Sequence, residues 1–169
     1  MDVDSAIRGR RTSKQFGSEP VDAATLRELL DLALHAPNHR LTQPWRFRVL
    51  GTETRLRLDE HCGEKEAMKL RRAPTLVLAT ALLSGDPHTD EEDLAAVACG
   101  VFAVLLGATA RGLASYWRTP RAFEEDGARS ILGLDEAEHV VALIHLGPLV
   151  SERPRKERLP LDDLLTVLP

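Results

Sequence analysis

The chain has 169 residues, which fits one domain, and its 43% hydrophobic and 28% charged content is ordinary for a soluble globular protein. A formal net charge of −4 and an aromatic content of only 4% argue against a nucleic-acid-binding surface. The acidic N-terminus is not followed by an apolar segment of the secretory type, and the distant Cys62 and Cys99 favour free thiols in a reducing compartment. We therefore expect a cytoplasmic protein without a nucleic-acid or membrane partner.

A short helix is predicted near the N-terminus, capped by Asp4 or Ser5 and ended by Gly9. The sequence Arg-Arg-Thr-Ser-Lys follows at positions 10–14. Guanidinium groups bind phosphate through paired hydrogen bonds, so this cluster at a helix end would suit an anion. Taken alone, it is explained better by a solvated basic turn.

A clearer amphipathic helix starts at Asp22, with leucines at helical spacing up to Leu34. The following segment, residues 35–47, interrupts the pattern because Pro37 biases the residue before it away from the helical region. This segment is rich in hydrogen-bonding side chains, more than a short connection needs merely to turn. Because binding groups are often placed on such loops, we interpret it as a binding loop.

The rest of the chain alternates strand-like and helical patterns. Residues 94–110 are apolar almost all round, which is typical of a helix buried in protein or in a membrane. Its two glycines and many alanines favour a central buried helix, packed either within the monomer or at a dimer interface. A polar helical stretch is predicted at 52–70, a short helix at 123–132, and strands at the four segments 46–50, 75–80, 113–117 and 140–147.

The C-terminal segment begins with a charged stretch at 151–158, and apolar residues return at 159–165. Such a terminal segment is stable only when it packs on its own body or on a partner. The alternation of helices and strands predicts an α/β or α+β domain with four or five strands.

Motifs of several other enzyme classes are absent from the sequence. It has no Gly-x-Gly-x-x-Gly fingerprint, no Gly-x-x-x-x-Gly-Lys loop and no Gly-x-Ser-x-Gly elbow. His35 and His39 have the spacing of a helical zinc motif, but Pro37 lies between them. The acidic stretch 84–93 is better explained as a loop leading into a helix than as a metal site. We expect no metal.

Four features, taken in order, resemble the nitroreductase family of flavoenzymes. They are the Arg-Arg-Thr sequence after the first helix, the loop 36–47 with its Gln-Pro-Trp-Arg-Phe ending, the alanine-rich helix leading into 112–118, and the terminal strand ending at 145–149. Together they span nearly the whole chain, and Gln-Pro-Trp-x-Phe is the most specific of them.

The resemblance implies an α+β sandwich with a central mixed or antiparallel sheet flanked by helices, formed by a single domain over residues 1–169. It also implies a homodimer with FMN in a groove between the subunits, and an arm at 151–169 that packs on the partner subunit. Proteins of this family pass a hydride from NADH or NADPH through FMN to a nitroaromatic, a quinone or a similar small-molecule acceptor.

The resemblance also implies which residues bind the cofactor. Arg10, Arg11 and Thr12 would hold the ribityl phosphate and the flavin edge. His35 and His39 would reach the flavin from the partner subunit. Trp117, Arg118 and Thr119 would line the phosphate and ribityl side. No catalytic side chain is implied, because the flavin carries the redox chemistry. The residues are Arg10, Arg11, Thr12, His35, His39, Gln43, Trp117, Arg118 and Thr119.

The chain departs from the family pattern at two positions. Thr12 stands where many members have Ser, which keeps the hydroxyl, and Leu41 stands where longer members have Asn, so that flavin contact is absent or replaced. The chain also lacks the extra helices that shape the substrate pocket of larger members. Two alternatives stay open: a flavin-binding carrier or sensor without reductase turnover, and a dimeric interaction protein without a cofactor.

Overall fold

The computed structural model describes residues 1–151, 154 and 156–169, so three residues of the predicted arm, 152, 153 and 155, lie outside the described residues. The described helices are α1 (Val3–Gly9), α2 (Ala23–Ala33), α3 (Thr52–Cys62), α4 (Glu64–Leu70), α5 (Pro87–Ala110) and α6 (Asp126–Leu132). The strands are β1 (Trp45–Val49), β2 (Thr75–Leu82), β3 (Leu113–Arg118) and β4 (Glu138–Pro148). Short 3-10 helices lie at His39–Leu41, Arg121–Glu124 and Leu161–Asp163.

The four strands form one antiparallel sheet in the order β1-β2-β4-β3. The central β2 is buried along nearly all its length, which explains its continuous apolar sequence. At the β3 edge the N-terminal segment runs alongside the sheet: Thr12 forms a parallel bridge with Ser115, and the Ser13 amide donates to the Ser115 carbonyl at 3.0 Å. The Arg-Arg-Thr sequence is therefore held beside β3.

Helices cover both faces of this sheet. One apolar core joins α2 and α5 to the sheet through buried residues such as Leu29, Val101 and Ile144. A second core joins α3, α4 and α6 to the other face and includes Leu58 and Leu143. The predicted α+β sandwich with an antiparallel sheet flanked by helices is confirmed at the level of the single subunit.

Helix α5 begins earlier than the sequence pattern predicts. The stretch 84–93 was expected to be a loop, but the helix starts at Pro87 because the Asp86 side chain caps it, accepting from the Thr89 amide at 2.9 Å. Proline suits this first turn, where the amide that it lacks would have no helical partner. Asp93 is consequently a helical residue, and it is buried.

Only one side of α5 is buried, although its sequence is apolar all round. Ala95, Cys99 and Phe102 are exposed along the other side, and Phe102 has 39% of its surface accessible. By length and composition α5 could cross a membrane, but half of its apolar window is buried inside the protein, as in a core helix.

Two smaller predictions need correction. The cap of α1 is Asp2, which accepts from the Ser5 amide at 2.9 Å, instead of Asp4 or Ser5. The helical stretch 52–70 divides at Gly63, whose φ of +76° suits glycine because it lacks a Cβ. The described residues after 158 are exposed, and the packing of the arm on a partner subunit stays a prediction.

Candidate functional site

A cluster of arginines forms where α1 ends. The Arg10 amide donates to the Ala6 carbonyl at 2.9 Å, and the Arg11 guanidinium braces the same turn by donating to the Arg8 carbonyl at 2.7 Å. Arg158, which the sequence did not single out, comes close enough for its charge to act on Arg10. Burial lowers the pKa of Arg10, and the positive charges of Arg158 and Arg11 lower it further.

The arginine cluster, defined as Arg10, Arg11 and Arg158, has no carboxylate partner within the part of the chain that the structure describes. Three guanidinium groups in mutual repulsion are unfavourable unless an anion joins them. Planar guanidinium forks match phosphate oxygens in geometry and charge. The donor set therefore fits a phosphate group, and the exposed Thr12 adds a hydroxyl beside it.

The predicted binding loop, residues 35–47, follows the end of α2, and its last three residues belong to β1. His35 and His39 are both exposed on it, and His35 lies 3.7 Å from Asp31, one helical turn earlier. Gln43 is exposed as well, so that its side-chain amide can meet a ligand. The predicted side chains are thus presented outwards from the loop.

The last turn of this loop is fixed by an internal hydrogen-bond network. The Asn38 side chain accepts from the Gln43 amide at 2.7 Å and donates to the Thr42 hydroxyl at 2.9 Å. The Thr42 hydroxyl in turn donates to the buried carboxylate of Asp93 on α5 in a short hydrogen bond. Sequence analysis missed Asp93 because it assigned that position to a loop.

Trp117 and Thr119 lie together at the end of β3. The Trp117 indole nitrogen and the Thr119 hydroxyl both donate to the Val141 carbonyl of β4, at 3.2 and 3.3 Å. Trp117 packs against the α2–α5 core, and Ser115, two residues earlier in the strand, bridges Thr12. Trp117 and Thr119 therefore share a sheet edge with the N-terminal segment.

Arg118 points to the opposite face of the sheet. Its guanidinium donates to Glu66 of α4 in a short ion pair, and only 9% of its side-chain surface is accessible. One of its terminal nitrogens, Nη1, is buried and has no hydrogen-bond partner among the described residues. Next to it, the rings of Tyr116 and His145 lie 5.2 Å apart. Arg118 is thus engaged inside the subunit, an arrangement that favours a packing role over contact with a phosphate.

Eight of the nine predicted site residues therefore fall into three groups within one chain, and Arg118 lies apart from them with Glu66. The first group is Arg10, Arg11 and Thr12, with Arg158 near Arg10. Trp117 and Thr119 lie at the end of the neighbouring strand β3. The two histidines and Gln43 lie on the loop after α2. Among the described contacts, none joins this loop to the arginine cluster of the same chain. A site that needs both groups would have to combine two subunits.

The chain was compared with known proteins. Residues 7–67 and 63–148 match the model of the Nitroreductase family. The Bacillus subtilis protein YfhC, a NAD(P)H nitroreductase by name, is 27% identical over 177 residues, which cover 95% of this chain and 91% of YfhC. The crystal structure of a nitroreductase-like family protein from Bacillus cereus superposes with a TM-score of 0.90 at 22% identity, covering 99% of this chain and 96% of that one.

A further structure contains a ligand. A protein of Desulfovibrio desulfuricans, named as a nitroreductase and solved in complex with FMN, superposes with a TM-score of 0.81 at 25% identity, covering 99% of this chain and 96% of that chain. The fold and the arginine cluster define an α+β protein with a site suited to a phosphate-bearing ligand. The chain belongs to the nitroreductase family. The family and the subunit fold predicted from the sequence are therefore confirmed.

Proposed function

We propose that this protein is an FMN-dependent oxidoreductase that takes a hydride from NADH or NADPH and delivers it to a nitroaromatic, a quinone or a similar small acceptor. The enzyme class and its cofactors are supported by membership of the nitroreductase family, by the NAD(P)H nitroreductase relative and by the FMN-bound relative. These findings do not identify the acceptor, which is part of the proposal.

The observation that carries the proposal is the unpaired arginine cluster. A phosphate dianion would relieve the repulsion among Arg10, Arg11 and Arg158, and the Thr12 hydroxyl would donate one more hydrogen bond. Trp117 and Thr119, on the neighbouring strand, would line the ribityl side. FMN, when bound, supplies the hydride-transfer chemistry, so the chain needs no nucleophile or general base of its own.

The loop after α2 would complete the site on the partner subunit. His35, His39 and Gln43 are exposed donors on a loop with fixed backbone geometry. Fixed N–H donors stabilise negative charge that develops during a reaction, as it does on a reduced flavin. These three side chains would bind and orient the isoalloxazine ring and exclude water from one of its faces.

A homodimer is part of the proposal. The exposed α5 side with Ala95, Cys99 and Phe102 is apolar, and the last part of the C-terminal arm also exposes apolar side chains, with an accessible fraction of 68% for both Leu159 and Leu164. Two apolar surfaces that the subunit leaves uncovered would be buried if the arm, residues 151–169, packed on a partner. Each subunit would then be one domain over residues 1–169, and we place the protein in the cytoplasm.

The first test is the visible spectrum of the purified protein before and after anaerobic addition of NADH or NADPH. A flavin band that bleaches is the expected result, because it requires both bound cofactor and hydride transfer. A flavin band that persists would favour the alternative, a carrier or sensor without reductase turnover. Absence of a flavin band after incubation with FMN would overturn the site and favour an interaction protein without a cofactor.

The arginine cluster provides a sharper test. Arg10→Ala removes a charged phosphate ligand, so we expect FMN binding to weaken by about ten- to a hundredfold. Quenching of FMN fluorescence on titration measures this. Arg57→Ala removes an equal charge from an exposed position on α3 and should bind FMN like the wild type. Equal affinity of Arg10→Ala and the wild type would show that the phosphate lies elsewhere.

A further inference from the structure

Asp93 is a buried carboxylate without a cation. It has only 3% of its surface accessible, on a helix whose other buried residues are apolar or glycine, and none of the described ion pairs includes it. Burying a charge without a counterion is costly unless hydrogen bonds replace its lost hydration. An apolar residue would fill the same space without this cost in free energy. Packing alone therefore does not explain a carboxylate at this position.

Among the described residues, the side chains that donate to the Asp93 carboxylate belong to the binding loop. Oδ1 of Asp93 accepts the short hydrogen bond from the Thr42 hydroxyl and a longer one, at 3.4 Å, from the Asn38 amide. The Asn38 amide also donates to Thr42, and the Asn38 carbonyl oxygen accepts from the Gln43 backbone amide. The network therefore ties Asn38, Thr42 and the Gln43 backbone amide to Asp93 on α5.

The loop has a backbone that needs such support. Arg40, Leu41 and Gln43 have φ values of +54°, +52° and +49°, a left-handed region that residues with a Cβ rarely adopt. Each such residue costs on the order of 1 kcal/mol, so three within four positions persist only when the surroundings hold them. The 3-10 turn that contains two of them also contains His39.

We propose that Asp93 is a positioning residue: through Thr42 and Asn38 its carboxylate holds the strained loop in the conformation that presents His39 and Gln43 to the flavin. This deepens the proposed function and rests on it, because the loop is assigned to the flavin site there. Asp93 itself does not contact the flavin and acts only through the loop.

The most direct test uses Thr42, because its side chain is exposed and its replacement should not prevent folding. Thr42→Val keeps the shape but removes the hydroxyl that links Asn38 to Asp93, whereas Thr42→Ser keeps the hydroxyl. Asp93→Leu removes the carboxylate and keeps the number and branching of the side-chain heavy atoms, although leucine is larger. Glu91→Gln removes a negative charge from an exposed position of the same helix and serves as the control.

Two measurements are compared, and neither is turnover. Hydrogen–deuterium exchange of the loop 38–43 reports whether the loop is held, and FMN titration with the position of the flavin absorption band reports whether the flavin senses it. We expect Thr42→Val and Asp93→Leu to exchange faster in the loop, to bind FMN about tenfold more weakly and to shift the band. Thr42→Ser and Glu91→Gln should match the wild type.

Each other outcome has a definite meaning. Unchanged loop exchange in both Thr42→Val and Asp93→Leu would overturn the inference. Faster exchange with unchanged FMN affinity and spectrum would also overturn it, because Asp93 would then be merely structural. If the wild type binds no FMN, the proposed function fails and with it the flavin role of Asp93, while the exchange result still decides whether Asp93 holds the loop.

Discussion

At the scale of single residues, His145 is a buried histidine that the proposed chemistry does not use. It has no accessible surface, and its Nε2 lies 3.2 Å from the Lys69 carbonyl. Burial lowers its pKa from 6.5 to about 4, and the nearby positive charge of Arg118 acts in the same direction. The ring therefore stays neutral in the folded protein at pH values where the unfolded chain would protonate it.

This difference predicts how stability depends on pH. Below about pH 6.5 the unfolded state binds a proton that the native state takes up only near pH 4, so stability falls as pH decreases across that window. Between pH 7 and pH 5 we expect a loss of about 2 kcal/mol in the free energy of unfolding. Urea denaturation at saturating FMN measures it.

The control separates His145 from the other histidines. His145→Gln removes the titrating group, so the loss of stability between the two pH values should become smaller by that amount, whatever its effect at neutral pH. His139→Gln changes an exposed residue on the same strand and should keep the wild-type pH dependence. If His145→Gln lost stability with pH as steeply as the wild type, the buried imidazole would not be the responsible group.

At the scale of elements, α5 has a different role on each of its sides. Its buried side packs against α2 and the sheet, its N-terminal half carries Asp93, and its opposite side with Phe102 is exposed. The contact with α2 is close because of Gly100. A Cβ at Gly100 would lie 3.0 Å from the Ala33 carbonyl oxygen and 3.2 Å from the Ala33 Cβ.

Gly100→Ala tests this close contact. Alanine favours a helix by about 1 kcal/mol over glycine, so an unconstrained helix would gain stability. Here the added methyl meets the backbone of α2, which cannot move without disturbing the core, and we expect a net loss of about 1–2 kcal/mol. Glu91→Ala, at an exposed position of the same helix outside the apolar surface, is the control, and urea denaturation measures both. A more stable Gly100→Ala protein would show that the two helices separate easily.

At the scale of the whole molecule, the described subunit neither brings the two halves of the proposed site together nor covers all of its apolar surface. The loop after α2 makes no described contact with the arginine cluster, and apolar surface remains exposed on α5 and on the C-terminal arm. A second copy of the chain would do both if its loop reached the first copy's arginines. The cofactor site, as proposed, would therefore be a property of the dimer.

Phe102→Glu tests this dependence. A carboxylate in the middle of the apolar α5 surface would have to be buried without a partner, so the dimer should dissociate and FMN affinity should fall with it. Analytical ultracentrifugation and FMN titration measure the two effects. Leu56→Glu places the same charge at an exposed leucine on α3 and should leave both unchanged. A monomeric Phe102→Glu protein with full FMN affinity would place the whole site in one subunit.

Much of the fold could be predicted from local patterns. Asp22 caps α2 as expected, the continuous apolar run of β2 lies in the sheet centre, and Gly112 and Gly133 follow helix ends with φ of +71° and +61°. These features depend on interactions within a few residues, so periodicity and cap chemistry suffice to predict them. The start of α5 was one exception, because the polar residues before Leu94 obscured a capped helix.

The sequence by itself determined the elements, the family and the presence of an exposed polar loop next to an N-terminal arginine pair. Only the tertiary structure decided which distant side chains meet. Arg118 pairs with Glu66 across 52 positions, Asp93 accepts a hydrogen bond from Thr42, and Arg158 approaches Arg10. The reason is physical. Helix and strand patterns repeat over a few residues, whereas these contacts depend on sheet order and helix packing, which join distant segments and leave no periodic signal in the chain.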